Sequence, residues 1–420
     1  MTNRYFSINK SMALGLVLLL FATSCRKEPL EIQNPNTRAC TSYSEQFEAI
    51  WQGIDHTYTL WSHDTINWDA RYVKYKPIFE SFDKNGVDSA TYVNTWKEFT
   101  YGFIDHHMAI VLWNPVHKFL VGISPSRNDY SHPSGYKEQV DALKLQPGIS
   151  NYVEYNGSNS NYTKSIFCLL PGKTADKHIA YLRFSDFELG SPDSIPNEVL
   201  LPFKAFYGDS IGLGILNGAA DRADVESIII DLRANPGGSI ININHLILSL
   251  AQNPYHYGYS RYKEGLGRLD YTGWMPVQFP LPKYHLSSPK PIVVLADINS
   301  ASCAEMSTQI LRDAMGATVI GERTMGATCS LLPSTDVAFD LFYSGCFGDY
   351  KIYNEKKPTH PDQFAYYVYS STYDIVLKDY TSLEGKGVQP DIEVLFDLNS
   401  LNAGRDNQLD RALQFLRTGN

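Results

Sequence analysis

Phe47, Ile50, Trp51 and Ile54 recur at three- and four-residue spacing, which predicts a helix in the stretch after Thr41. Asn67–Pro77 and Tyr92–Tyr101 continue that helical character almost to Ala109. Lys118 to Thr163 is polar and irregular, with room for short strands at Phe119–Gly122 and Ser150–Glu154. From Ile179 the pattern changes, and strand-length apolar runs alternate with helical stretches. The strands are Ile179–Phe184, Ile228–Leu232, Ile292–Leu295 and Thr318–Ile320. The helices between them are Val199–Leu216, Ile241–Ala251 and Met306–Met315. That alternation predicts an α/β fold with a largely parallel sheet. No internal repeat is present.

The first residues change the picture of location. Asn3-Arg4 and Lys10 precede an apolar run, Met12 to Ala22, of signal-peptide length and too short to span a bilayer. It ends in Phe21-Ala-Thr-Ser-Cys25, which resembles a bacterial lipoprotein signal with Cys25 as the lipidated residue. Residues 1–25 are then a signal and 26–40 a polar tether between lipid and domain. The expected location is the cell envelope, lipid-anchored, on an outer membrane and facing the periplasm or the surface. An ordinary secretory signal with a chance cysteine is the alternative.

Charge excludes one class of partner. The 420 residues carry 36 Lys+Arg against 45 Asp+Glu, a net charge of −9. No basic cluster is present, so nucleic acid is not an expected partner. The 28 tyrosines crowd stretches such as Tyr255–Tyr271 and Tyr350–Tyr380, which fits peptide or glycan contact and plain packing alike. With Cys25 assigned to lipid, Cys40, Cys168, Cys303, Cys329 and Cys346 remain, an odd number without metal-ligand spacing. Cys329 and Cys346 are a candidate disulfide in an oxidising compartment. No metal or organic cofactor is implied.

The candidate chemistry centres on Asp297-Ile-Asn-Ser-Ala-Ser-Cys-Ala-Glu305, between an apolar strand and a helix. A strand that breaks there and restarts as a helix exposes one hydroxyl, Ser302, at a helix N-terminus. The helix dipole and free amides favour the negative charge that develops beside a nucleophile. An ordinary N-cap explains the same residues. Upstream, Asp231-Leu-Arg-Ala-Asn-Pro-Gly-Gly238 ends a buried strand in a glycine turn whose backbone amides can approach a ligand. A tight strand-to-helix turn accounts for it equally. Asp231 and Arg233 also read as a structural pair at a strand end. Further motifs are Phe103-Ile-Asp-His-His107, Ile320-Gly-Glu-Arg-Thr-Met-Gly326 and Leu383-Glu-Gly-Lys-Gly-Val-Gln-Pro-Asp391.

Taken in chain order, with the strand Ile179–Phe184 between the first two, and over most of the chain, these motifs resemble the C-terminal-processing (tail-specific) and tricorn-core serine peptidase family. The resemblance implies a crotonase/Clp-like ββα-spiral peptidase core at 179–420, preceded by a small helical lead-in domain at 41–115. Residues 116–178 are then an irregular linker or a degenerate PDZ-like region. The tail-specific branch pairs its serine with a lysine placed where this chain has Ala327, and Lys386 has no motif claim to replace it. The tricorn-like branch uses a histidine and a glutamate, at positions matched by His107 and Glu384. The resemblance therefore implies Ser302 as nucleophile, His107 as base and Glu384 as its acidic support. Gly237 or Gly238, with the Cys303 amide, becomes the oxyanion hole. The family's serine directly before the histidine is His106 here, which leaves open which of the two histidines faces the site. Ser344 to Asp379 reads as an insertion that blurs the alignment around Glu384.

The function this implies is hydrolysis of peptide bonds in unfolded or C-terminal polypeptide segments. Polypeptide substrates and the membrane, through the lipid anchor, are the expected partners. Two rivals remain. One is a peptidase-fold binding lipoprotein without catalysis, suggested by Ala327 and His106. The other is a crotonase-type acyl enzyme, since fold does not fix function.

Overall fold

A computed structural model describes residues 39–126, 131–156, 164–187, 222–240, 243, 247–265, 267–281, 286, 288–329 and 345–419. The signal with Cys25, most of the tether and the expected helix Val199–Leu216 lie outside them. Of the expected helix Ile241–Ala251, the described end forms one 3₁₀ turn, Leu248–Leu250.

Three helices open the described chain: α1 (Tyr43–Thr57), α2 (Trp68–Asn85) and α3 (Ser89–Thr100). Each begins at a side-chain cap. Ser42, Asn67 and Asp88 accept from the amides of Glu45, Ala70 and Thr91, which would otherwise be unpaired. Their shared core is aromatic, with Phe47 stacked on Phe79 at 4.8 Å and Trp68 against Phe99 at 4.8 Å. Beyond them β1 (Ala109–Asn114) and β2 (Phe119–Ile123) form a hairpin. Its sheet is completed by β11 (Phe347–Gly348) and β12 (Ala365–Tyr369), with Val111 opposite Tyr367. The lead-in expected at 41–115 is therefore not a separate unit. The stretch that reads as an insertion supplies half of its sheet.

The main sheet has seven strands. They are β3 (Ser150–Asn156), β4 (Lys164–Pro171), β5 (His178–Phe184), β6 (Val225–Asp231), β9 (Ile292–Ala296), β10 (Thr318–Gly321) and β14 (Ile392–Glu393). Their order is β14-β10-β9-β6-β5-β4-β3. From β14 to β5 all pairs are parallel, whereas β5–β4 and β4–β3 are antiparallel. The linker or PDZ-like region expected at 116–178 thus contributes two strands to the core sheet, and the core begins well before residue 179. β3 is largely polar, whereas β4 carries the apolar run Ile166–Leu170 and was legible as a strand.

Both faces of the central strands are covered, which is why they read as continuous apolar runs. Ile228, Ile230 and Val294 face a cluster that includes Ala304, Ile310 and Leu311 of α5 (Cys303–Met315). Ile229, Val293 and Ile320 face the opposite way. There they meet Leu409, Leu413 and Leu416 of α8 (Asn407–Thr418), and Val140 and Leu143 of α4 (Tyr136–Lys144). A third sheet, β13-β7-β8, joins β7 (Tyr255–Arg261) and β8 (Met275–Phe279) to β13 (Asp374–Leu377). Two short helices, α6 (Tyr350–Asn354) and α7 (Leu398–Asn402), fill the remaining connections. Among the described residues no helix is long and apolar enough to cross a membrane. Cys329 and Cys346 are both free thiols, so the candidate Cys329–Cys346 disulfide is not formed. Cys329 Sγ instead lies against the Ile375 amide, and the Cys346 thiol donates to the Ser370 carbonyl.

Candidate active site

Ser302 stands where β9 ends and α5 begins. Its backbone has φ 55° and ψ −120°, a conformation that L-residues avoid. A serine held there is displayed at the mouth of the turn. Three bonds hold it: Ser302 N–H donates to the Ala327 carbonyl (2.9 Å) and to Glu305 Oε2 (3.2 Å), and Met306 N–H donates to the Ser302 carbonyl (3.0 Å).

Glu305 is a residue the sequence reading passed over. It is fully buried and also accepts from Ala327 N–H and Gly326 N–H, both at 2.6 Å, and from the Thr324 hydroxyl at 2.5 Å. One carboxylate thus fastens the 324–327 turn to the serine elbow. Burial pushes its pKa up to about 7, against the four donors that pull it down. The signal was present as Ser302-x-x-Glu305, the spacing of a capping box.

The glycine turn meets this elbow. A side-chain carbon on Gly237 would lie 2.6 Å from Ser302 Cβ and 2.9 Å from the Cys303 nitrogen, so only glycine fits. Gly237 N–H donates to Asn235 Oδ1 at 2.8 Å and is therefore committed to the turn itself. That corrects Gly237 from an oxyanion donor to a spacer. Gly238 N–H makes no hydrogen bond to a described residue, and the Gly238 carbonyl accepts from the Cys303 thiol at 2.9 Å. The turn is anchored from behind by an enclosed ion network. Arg233 pairs with Asp231 (2.6 Å) and Asp406 (2.8 Å), and Arg183 with Asp231 (3.0 Å). The structural reading of Asp231 and Arg233 holds, and Asp406 at the start of α8 is its missing member.

His107 lies in the turn between α3 and β1 rather than at a helix end. Its amide donates to Asp105 Oδ1 at 2.9 Å. Its Nδ1 is buried without a hydrogen-bond partner, and burial of the ring lowers its pKa to about 4. The ring is neutral at pH 7. One ring nitrogen, one Asp105 oxygen and one Glu384 oxygen all lie within 4.8 Å of one another. Glu384 accepts from Thr328 N–H and Cys329 N–H at 2.8 Å, and from His106 N–H at 3.3 Å. It therefore ties the residues that follow Ala327 to the histidine turn. Burial, and next the Asp105 charge, hold the Glu384 pKa well above the usual carboxyl range. Burial raises Asp105 to about 6.

Asp105 is the second residue the sequence reading undervalued. It is buried and accepts from Ser371 N–H (2.8 Å) and the Ser371 hydroxyl (3.0 Å). Ser371 falls in the supposed insertion, so its motif neighbours gave no signal. Ala327 is buried where a dyad lysine would stand, and Lys386 is exposed. Among the described residues no hydrogen bond joins Ser302 to His107. Unliganded sites are often loose at this contact.

Residues 178–332 match the sequence profile of peptidase family S41, a span that holds the glycine turn, the serine elbow and Ala327. Over this span, somewhat more than a third of the chain, the sequence is similar to peptidase family S41. Two solved structures share the fold over most of the chain. One is a protein from Parabacteroides merdae ATCC 43184 named as a peptidase. It is 19% identical, with a TM-score of 0.62, covering 90% of this chain and 98% of its own. The other is mature CPAF complexed with lactacystin, 12% identical with a TM-score of 0.54, covering 91% and 99%. At these identities the likeness is one of fold. A comparison with curated proteins returns no match.

Proposed function

We propose that this S41 chain is a serine endopeptidase that uses a histidine rather than a lysine as base. Ser302 Oγ attacks the scissile carbonyl as His107 takes its proton. His107 returns that proton to the leaving amine. Water then repeats the sequence on the acyl-enzyme. Glu384 supports the imidazolium, and the amides of Gly238 and Cys303 receive the oxyanion. The observation that carries this reading is Glu384 bridging His106 N–H to the amides of Thr328 and Cys329, beside the Ser302 elbow. It supports the reading by linking the turn that carries His107 to the segment that follows Ala327, whose carbonyl accepts from Ser302 N–H. Burial lowers the His107 pKa to about 4, so the ring is free to accept a proton but is a weaker base than an ordinary histidine until its imidazolium is supported.

The finer proposal follows from the N-terminal sequence. The substrates are unfolded or C-terminal polypeptide segments in the cell envelope, reached by an enzyme anchored through lipid on Cys25. The buried methyl of Ala327 favours a second reading, a binding protein that kept the fold without catalysis. A fluorophosphonate probe with mass spectrometry separates the two. Labelling at Ser302 that disappears in His107→Ala is expected. Removing one triad member typically costs on the order of 10⁴-fold in turnover. A folded sample that takes no label, or labels equally without His107, overturns the triad.

A further inference from the structure

Asp105, Glu305 and Glu384 are three buried carboxyl groups in one neighbourhood. Among the described residues no lysine or arginine neutralises them. The charges that act on them are each other's and that of His106. Buried carboxyl groups without a cationic partner take up a proton, or another cation that can enter, in preference to staying charged. Glu305 is held by four donors, and Glu384 and Asp105 likewise accept hydrogen bonds from their neighbours. Asp105 and Glu384 face a ring nitrogen of His107, and all three ligand atoms lie within 4.8 Å of one another. His107 also carries a buried Nδ1 with no hydrogen-bond partner. An imidazole nitrogen within 4.8 Å of two carboxylates is a donor set for a metal ion.

We infer that Asp105, His107 and Glu384 bind a divalent transition cation of the zinc type, and that its occupancy holds the peptidase off. One nitrogen and two oxygens select zinc over calcium or magnesium, which take oxygen ligands alone. Ligands at about 2.0–2.2 Å from a tetrahedral zinc sit roughly 3.4 Å apart, so closing the set from 4.8 Å takes side-chain movements of the order of an ångström. The three residues come from the turn before β1 and the loop before β14, and they leave coordination positions for water. The ion lowers the mutual repulsion of the two carboxylates. It also draws His107 into coordination, so the ring can no longer take the Ser302 proton. Chelation restores the base. The first half of this inference stands on the donor set alone, and the second rests on the peptidase reading.

The test is zinc titration by calorimetry into the purified, EDTA-treated chain and its Ser302→Ala variant. X-ray absorption on the loaded protein reports the ligand atoms. One zinc per chain with a nitrogen/oxygen shell is expected in both. His107→Ala should weaken binding by at least about tenfold, as should Glu384→Gln. Circular dichroism confirms that each variant is folded. Asp105 also holds Ser371, so the other two ligands are the ones substituted. Absence of binding, a sulfur shell from Cys303 or Cys329, or unchanged affinity in both folded variants overturns the site. In the wild type, zinc should suppress casein hydrolysis and EDTA should restore it. Binding without suppression overturns the regulatory half. Zinc that binds through His107 to a chain unreactive towards fluorophosphonate leaves the metal site standing and removes the peptidase reading instead.

Discussion

Ser302 is held at a backbone angle that costs about 1–3 kcal/mol for any residue with a Cβ. The bonds from its amide to Ala327 and Glu305, and from Met306 to its carbonyl, keep it there. Glycine reaches the same angle without strain. Ser302→Gly and Ser302→Ala should therefore both be inactive, but the glycine variant should be more stable by about 1 kcal/mol. The gain is reduced by the greater freedom of glycine in the unfolded chain. Urea denaturation of the two variants measures this directly. Equal stabilities would mean that the elbow is relaxed and the strain argument is wrong. Local chemistry made this residue findable, because a small polar break between an apolar strand and a helix leaves few places for a hydroxyl. Glu305 was equally findable by its capping-box spacing. Asp105 and Ser371 were not, since their pairing spans most of the chain and depends on which turns the fold brings together.

The elements read well wherever burial is one- or two-sided and continuous. β5, β6, β9, β10 and α5 fall within a few residues of their apolar runs. β3 and β4 were not assigned to the core sheet because pairing cannot be read from one strand alone; β3 is largely polar, but β4 carries the apolar run Ile166–Leu170. β11 and β12 were hidden for a different reason. They complete a sheet begun at β1, more than two hundred residues earlier, and so looked like an insertion. Function at this scale depends on α8. Asp406 caps it by accepting from Leu409 N–H and also holds both terminal nitrogens of Arg233, which stands just before the glycine turn. Removing it leaves a buried guanidinium with one fewer counter-charge and a helix without its cap. Asp406→Ala should cost about 3–5 kcal/mol, most of it from the ion network and about 1 kcal/mol from the cap. Denaturant titration checks the size. A loss below about 1 kcal/mol would show that α8 does not brace the site.

The whole molecule carries its functional carboxyls as a stability burden that depends on pH. Asp105 and Glu305 have folded pKa values of about 6 and about 7, and Glu384 lies well above its usual range, all chiefly through burial. Each binds a proton more tightly folded than unfolded. Its contribution is fully present below the unfolded carboxyl pKa, near 4, and is lost as pH rises through the folded value. For Asp105 and Glu305 the loss is roughly 3 kcal/mol each. His107 works in the opposite sense. Its folded pKa of about 4 lies below the unfolded value, so its contribution grows by a similar amount as pH rises from about 4 to 6.5. His106, the other charge facing Asp105, favours the ionised carboxylate and trims the effect. Three carboxyls against one imidazole leave a net loss between pH 5 and pH 7. Asp231, held down to about 2 by Arg183 and Arg233 against its burial, is already ionised throughout that window and does not alter it. The chain should therefore be more stable near pH 5 than near pH 7.5, by a few kcal/mol. Urea midpoints taken at half-unit intervals across that range test the sign. A steady rise towards pH 7.5 would mean that the carboxyls find cations or water when the molecule is in solution, and that the site is less enclosed than its packing indicates.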